Sequence, residues 1–246
     1  MSIAANLERI RNEIADTCAR AHRSPDSVSL MAVSKMHPAD AILEAHAAGQ
    51  RLFGENRVQE FASKLPLLNY PAGSDAPSSA TPYSLLPTPC FHLIGPLQNN
   101  KTTKAAEIFH AVDTIDSFKT AERLNRAAAA LNKTLPILIE VKLSPEDTKH
   151  GLAPEDLPTL LNQLTPLTNL TIRGLMTVPP WCTPETAETA RPYFAHLRRL
   201  RDQLQPTHPT LTELSMGMTN DFHIAIEEGS TTVRIGTAIF GKRIHA

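Results

Sequence analysis

The chain has 246 residues, of which 41% are hydrophobic and 20% charged, with a formal net charge of −1. This is the balance of an ordinary globular protein with a sizeable core, and its mixed charges give no basis for capturing nucleic acid or an anionic membrane. Cys18, Cys90 and Cys182 are odd in number and far apart, which supports neither a disulfide framework nor a zinc pattern, and no apolar run approaches the roughly 18 residues of a membrane span, so a cytoplasmic, reduced protein is expected.

The opening "MSIAANLERIRNEIADTCAR" puts Ile3, Leu7, Ile10, Ile14 and Cys18 at helical spacing with charges between them, which predicts an amphipathic helix and not a leader. Short β-type runs then alternate with helical ones. "SVSLMAVS" (27–34) leads into a helix over about 38–48, "RLFGEN" (51–56) into one near 56–65, and "FHLIG" (91–95) into "NNKTTKAAEIF". "HAVDTID" (110–116) precedes "SFKTAERLNRAAAAL", and "PILIEVKLS" (136–144) precedes "PEDLPTLLNQL". "LTIRGLMTV" (170–178) precedes "PETAETARPYFAHLRRLRDQL", "LTELSMG" (211–217) precedes "DFHIAIEEG", and "TVRIG" (232–236) precedes the last segment.

Strict βα alternation implies parallel strands with crossover helices, and eight units in order predict a closed (β/α)8 TIM barrel. An open doubly wound sheet is the alternative, disfavoured because no G-x-G-x-x-G follows the first strand. The expected organisation is a single barrel domain over 1–246, with the extra N-terminal helix capping or flanking it. A segment rich in Pro, Ser and Ala at about 65–89 is expected to be a surface loop insertion.

A barrel keeps its active site at the C-terminal ends of its strands. Lys35 ends strand one, Gly54-Glu55-Asn56 strand two, and Gly95 follows His92 on strand three. Lys142 is expected on strand five and Met176 on strand six. Ser215-Met216-Gly217 end strand seven, and Arg234 and Gly236-Thr237 end strand eight. The glycines at the last two ends, each before a helix start, suit a phosphate cup or merely tight turns. A lysine facing that cup, with its pKa lowered by burial, would suit a phosphorylated aldehyde such as pyridoxal 5′-phosphate; a lysine reaching into solvent is the alternative. Arg234 shares a side with Gly236 on an alternating strand, where it would keep a pyridine nitrogen unprotonated. His92 reads as a hydrogen-bonded core histidine. The ten histidines carry no metal-ligand spacing.

The stretches "AVSKMHPADAI", "FGENRVQE", "FHLIGPLQNNK", "IRGLMTV" and "LSMGMTNDFHIAIEEGSTTVRIGTAIFG" together resemble the pyridoxal phosphate homeostasis proteins (the YggS-like family), in order from about residue 28 to 243. The resemblance implies a fold type III barrel like the N-terminal domain of alanine racemase, with pyridoxal 5′-phosphate held as an internal aldimine on Lys35. It implies further that Arg234 faces the pyridine nitrogen, that Ser215, Gly217, Gly236 and Thr237 hold the phosphate, and that Asn56 lies near the ring. The function implied is intracellular cofactor homeostasis without turnover, in a monomer whose recipients would be apo enzymes dependent on the cofactor. The chain departs from the family's usual "SKTKPA" in "SKMHPA", with His37 in place of a second lysine. It carries Lys142 where asparagine is common and Asn99 in place of serine, while Lys149 in "TKHG" matches. His37 and Lys142 are expected to be solvent-exposed substitutions. Two alternatives are an amino-acid racemase or decarboxylase, whose second base no tyrosine here supplies, and an aldolase using Lys142.

Overall fold

The computed structural model describes residues 2–70, 83, 86–146 and 150–241. Eight strands are present: β1 (Ser29–Val33), β2 (Leu52–Glu55), β3 (Cys90–Leu93), β4 (Ala111–Ile115), β5 (Leu135–Glu140), β6 (Leu170–Met176), β7 (Glu213–Ser215) and β8 (Thr232–Ile235). They close in sequence order into a barrel, all parallel, with β1 pairing β8 in the register Met31 to Arg234. The helices between them are α2 (Ala39–Ala47), α3 (Val58–Leu68), α4 (Thr102–Ile108), α5 (Phe118–Ala130), α6 (Leu157–Leu164), α7 (Arg191–Leu204) and α8 (Phe222–Glu227), with α9 (Thr237–Phe240) after β8. The expected (β/α)8 barrel is the observed fold.

α1 (Ile3–Arg20) precedes the barrel, and the Ser2 hydroxyl caps it by accepting from the Ala5 N–H. Its stripe of Leu7, Ile10, Ile14 and Cys18 is buried. It packs against α2, α8 and α9, so it flanks the barrel. The reason is geometric: α9 is a single turn and cannot cover its share of the sheet, and α1 fills that place. Asn6 Nδ2 donates to the Ile239 carbonyl at 2.9 Å and Arg9 Nη2 to the Ala238 carbonyl at 3.2 Å, tying α1 to the chain just after β8.

Side chains alternate between two cores. Outward residues meet the helices, where Phe61 lies 4.5 Å from Phe91 and 4.9 Å from Phe109 between ring centroids. Inward, Met31, Leu52 and Cys90 form a smaller apolar cluster with Tyr83 and Ile94. Much of the remaining interior is polar: His92, Asp113, Glu140, Ser215 and Arg234 are all buried.

Three expectations change. α3 runs to Leu68, so the insertion begins later than 65; Pro66 is accommodated because the buried stripe of Phe61, Lys64 and Leu68 carries the helix past it, and Asn69 ends it in the left-handed conformation at φ 53°. Residues 71–82, 84 and 85 of that insertion lie outside the described residues. Pro184–Ala190 forms 3-10 turns before α7, where one continuous helix was expected. β5 ends at Glu140, so Lys142 is in the following loop, where its N–H bonds the Leu152 carbonyl at 2.8 Å.

Candidate functional site

The C-terminal end of the barrel gathers the residues singled out above. Met31 packs where a Cβ on Gly54 would point, and Val33 where one on Gly236 would, so both face inward. Lys35 is the second residue beyond β1, half-buried in the turn that follows the strand. Asn56 follows β2, whose Gly54 carbonyl accepts the Ser34 N–H at 3.0 Å. A Cβ on Gly95 would sit 2.2 Å from the Asn56 carbonyl oxygen, so only glycine lets the loop after β3 close on Asn56. The Asn56 Oδ1 is buried with no protein partner.

On β8, the neighbour of β1, Arg234 is 4% exposed. Its Nη1 donates to the Ser215 Oγ and its Nη2 to the Thr177 carbonyl, each at 2.8 Å, and its N–H bonds the Gly217 carbonyl at 2.9 Å. Burial lowers its proton affinity, while the Asp113, Asp221 and Glu140 carboxylates oppose that shift. Gly217 has φ 96°, and a Cβ there would lie 2.6 Å from the Ala225 Cβ. Asp221 shapes the same turn: its Oδ1 accepts the Met218 N–H at 2.5 Å, and burial raises its pKa. Gly236 precedes α9, its carbonyl accepting from Ile239 and Phe240 at 2.9 and 3.0 Å, and Thr237 is exposed. Ser215, Gly217 and Arg234 are thus joined by hydrogen bonds, and Gly236 lies two residues beyond Arg234 at the end of β8.

Neither His37 nor Lys142 is a fully exposed residue: both are half-buried, and the His37 ring lies 5.1 Å from that of Phe240. Lys149 lies outside the described residues. His92 is a buried, hydrogen-bonded histidine inside the barrel, its Nδ1 3.1 Å from the Asp113 Oδ1 and its Nε2 3.3 Å from the Tyr83 hydroxyl. Burial disfavours its cation, but Asp113 and Cys90 together outweigh burial and raise its pKa well above the ordinary value. Tyr83 therefore enters the barrel from the insertion. It does so beside Leu52 and Cys90, the first residues of β2 and β3, at the end away from Lys35.

Sequence reasoning missed an ion cluster beneath Lys35. Lys64 of α3 is 2.9 Å from Glu55 and 2.7 Å from Glu60. The Glu60/Lys64 spacing of four along a helix was the only available signal.

The family of the alanine racemase N-terminal domain matches residues 5–243. The chain is 43% identical over 98% of its length to the pyridoxal phosphate homeostasis protein of Vibrio cholerae, covering 97% of that protein. It is 42% identical over 98% of its length to that of Pseudomonas aeruginosa, covering 96%. The chain belongs to the pyridoxal phosphate homeostasis protein family. Among solved structures, PipY of Synechococcus elongatus with pyridoxal phosphate bound matches at a TM-score of 0.80 and 41% identity, over 98% of this chain and 100% of that one. The alanine racemase of Clostridium difficile matches at a TM-score of 0.70 and 15% identity, over 97% of this chain and 56% of that one, a likeness of fold alone. For this family member, no helix among the described residues is long and apolar enough to cross a membrane.

Proposed function

We propose that this protein binds pyridoxal 5′-phosphate at the C-terminal end of its barrel and serves to hold and release it within the cell, without a turnover reaction of its own. The observation that carries the reading is the pairing of a half-buried lysine just past β1 with a buried arginine on β8, in a chain 41% identical to a protein solved with that cofactor. The residues present fit the group. Asn56 offers a buried carboxamide oxygen that lacks a protein partner, and Gly217 keeps open a turn that any Cβ would fill. Lys35 supplies the amine.

In this reading Lys35 would hold the cofactor through its aldehyde, and the chemistry the group would supply there is reversible condensation with an amine. Ser215, Gly217, Gly236 and Thr237 receive the phosphate at the ends of β7 and β8. Arg234, a cation held by hydrogen bonds to Ser215 and Thr177, would meet the pyridine nitrogen and disfavour its protonation, which would weaken the ring as an electron sink. The described tyrosines support a role without turnover, since Tyr70 meets His46 edge-on, Tyr83 sits at the far end of the barrel and Tyr193 is in α7. The reading further takes the chain as one cytoplasmic barrel domain, a monomer that delivers the cofactor to apo enzymes. Met36 and Trp181, 45% and 75% exposed on loops at the mouth, offer apolar surface for that contact.

The test is the visible spectrum of the protein with pyridoxal 5′-phosphate, before and after borohydride, followed by peptide mapping. A band that bleaches and a pyridoxyl mass on the Lys35 peptide are expected, both absent in Lys35→Ala. An adduct retained at the same site in Lys35→Ala would overturn the assignment.

A further inference from the structure

None of the roles above uses Lys64, Glu55 or Glu60, yet these three enclose the peptide that bears Lys35. Lys64 is 8% exposed. Its Nζ donates to the Ser34 carbonyl at 3.0 Å and to the two Glu55 carboxylate oxygens at 2.9 and 3.1 Å, and it pairs with Glu60 Oε1 at 2.7 Å. Glu55 is fully buried and also accepts from the Ser34 hydroxyl at 2.7 Å. Glu60 in turn accepts the Met36 N–H at 2.5 Å. The residue before Lys35 is therefore held through its carbonyl and hydroxyl, and the residue after it through its N–H.

Met36 shows why such a grip is needed. Its φ is 62°, a left-handed conformation that a side chain such as methionine rarely adopts and that persists only where the surroundings enforce it. Fastening α3 to the barrel does not require the cluster, because Phe61 and Leu68 of the same helix are already fully buried against it. Buried ion clusters are also seldom better than apolar packing for stability alone.

We propose that Lys64 is a positioning residue for Lys35. Through Ser34 directly, and through Glu60 to Met36, it fixes the turn after β1 so that the Lys35 amine meets the aldehyde of a cofactor whose phosphate is seated at the ends of β7 and β8. The inference rests on the cofactor reading above.

Two probes separate placement of the amine from integrity of the site: pyridoxal 5′-phosphate, and pyridoxine 5′-phosphate, which has an alcohol where the aldehyde would be and forms no bond to lysine. Both are titrated against the full-length protein and its Lys64→Met, Lys64→Arg and Glu60→Gln variants, with borohydride trapping on Lys35 timed in parallel. In Lys64→Met, pyridoxine phosphate affinity should stay within about twofold, while pyridoxal phosphate affinity and the rate of trapping fall roughly tenfold or more. Lys64→Arg should recover part of that loss. Glu60→Gln releases only the Met36 side and should give a smaller loss of the same kind; being half-buried, it also decides the matter if Lys64→Met does not fold. Equal losses for the two probes, or no loss for either, would overturn the clamp alone. A wild-type protein that takes up neither probe would overturn the cofactor reading as well.

Discussion

Arg234→Met removes a side chain that joins β8, β7 and the residue after β6 inside the barrel. Its guanidinium is 4% exposed and makes two side-chain hydrogen bonds at 2.8 Å, one to Ser215 Oγ and one to the Thr177 carbonyl. Bonds to a charged group contribute about 1.5–3 kcal/mol each, and the Thr177 carbonyl would lose this donor in a buried setting, so a loss of about 3–5 kcal/mol is expected. Relief of the guanidinium's own burial offsets part of this, but the Asp113, Asp221 and Glu140 carboxylates would lose the favourable charge of a nearby cation. Against a total stability of about 5–15 kcal/mol the variant should fold, melting about 6–20 °C lower at 2–4 °C per kcal/mol. Lys at this position keeps the charge and satisfies one of the two acceptors, so Arg234→Lys should lose about half as much. Urea titration followed by far-UV circular dichroism measures both. A loss under about 1 kcal/mol for Arg234→Met, or equal losses for the two variants, would refute the reasoning.

Gly217→Ala combines a φ of 96° with a Cβ 2.6 Å from the Ala225 Cβ, and should cost about 2–5 kcal/mol and abolish cofactor uptake; an unchanged melting point would contradict this. Phe61→Ala, which empties a fully buried ring site against Phe91 and Phe109, should cost about 3–5 kcal/mol in the same urea titration. His110 accepts the Phe91 N–H at 3.1 Å and has its pKa pushed down to about 4, first by burial and then by neighbouring His92 and Lys133. Because the folded value lies below the unfolded one of about 6.5, its contribution is complete above pH 6.5 and is lost as pH falls towards 4, about 3 kcal/mol in all. His110→Asn, which keeps an acceptor for Phe91, should flatten the stability profile over that window, and an unaltered slope would rule the assignment out.

The barrel was legible because each strand is a short apolar run and each helix carries its own stripe, signals that sit within a dozen residues of chain. Strand ends were legible for the same reason. Lys35 stands where an apolar run stops, and Gly217 where a turn must open at positive φ, and both lie where the sequence puts them. Local signals failed where packing overrode them: Pro66 reads as a helix breaker, yet the buried face of α3 continues to Leu68, and Lys142 reads as strand although β5 stops at Glu140.

The sequence by itself thus determined the fold class, the order of the elements and the residues at the strand ends, because those depend on periodicity and on the backbone demands of single residues. Only the tertiary structure decided what those residues touch. Ser34 meets Glu55 across 21 positions, His92 meets Asp113 across 21, Cys182 meets Asp221 across 39 and Thr177 meets Arg234 across 57. No local pattern encodes such pairs. They exist because closing eight parallel strands and packing helices and loops against them brings distant residues into low-dielectric surroundings, where buried polar and charged groups need partners.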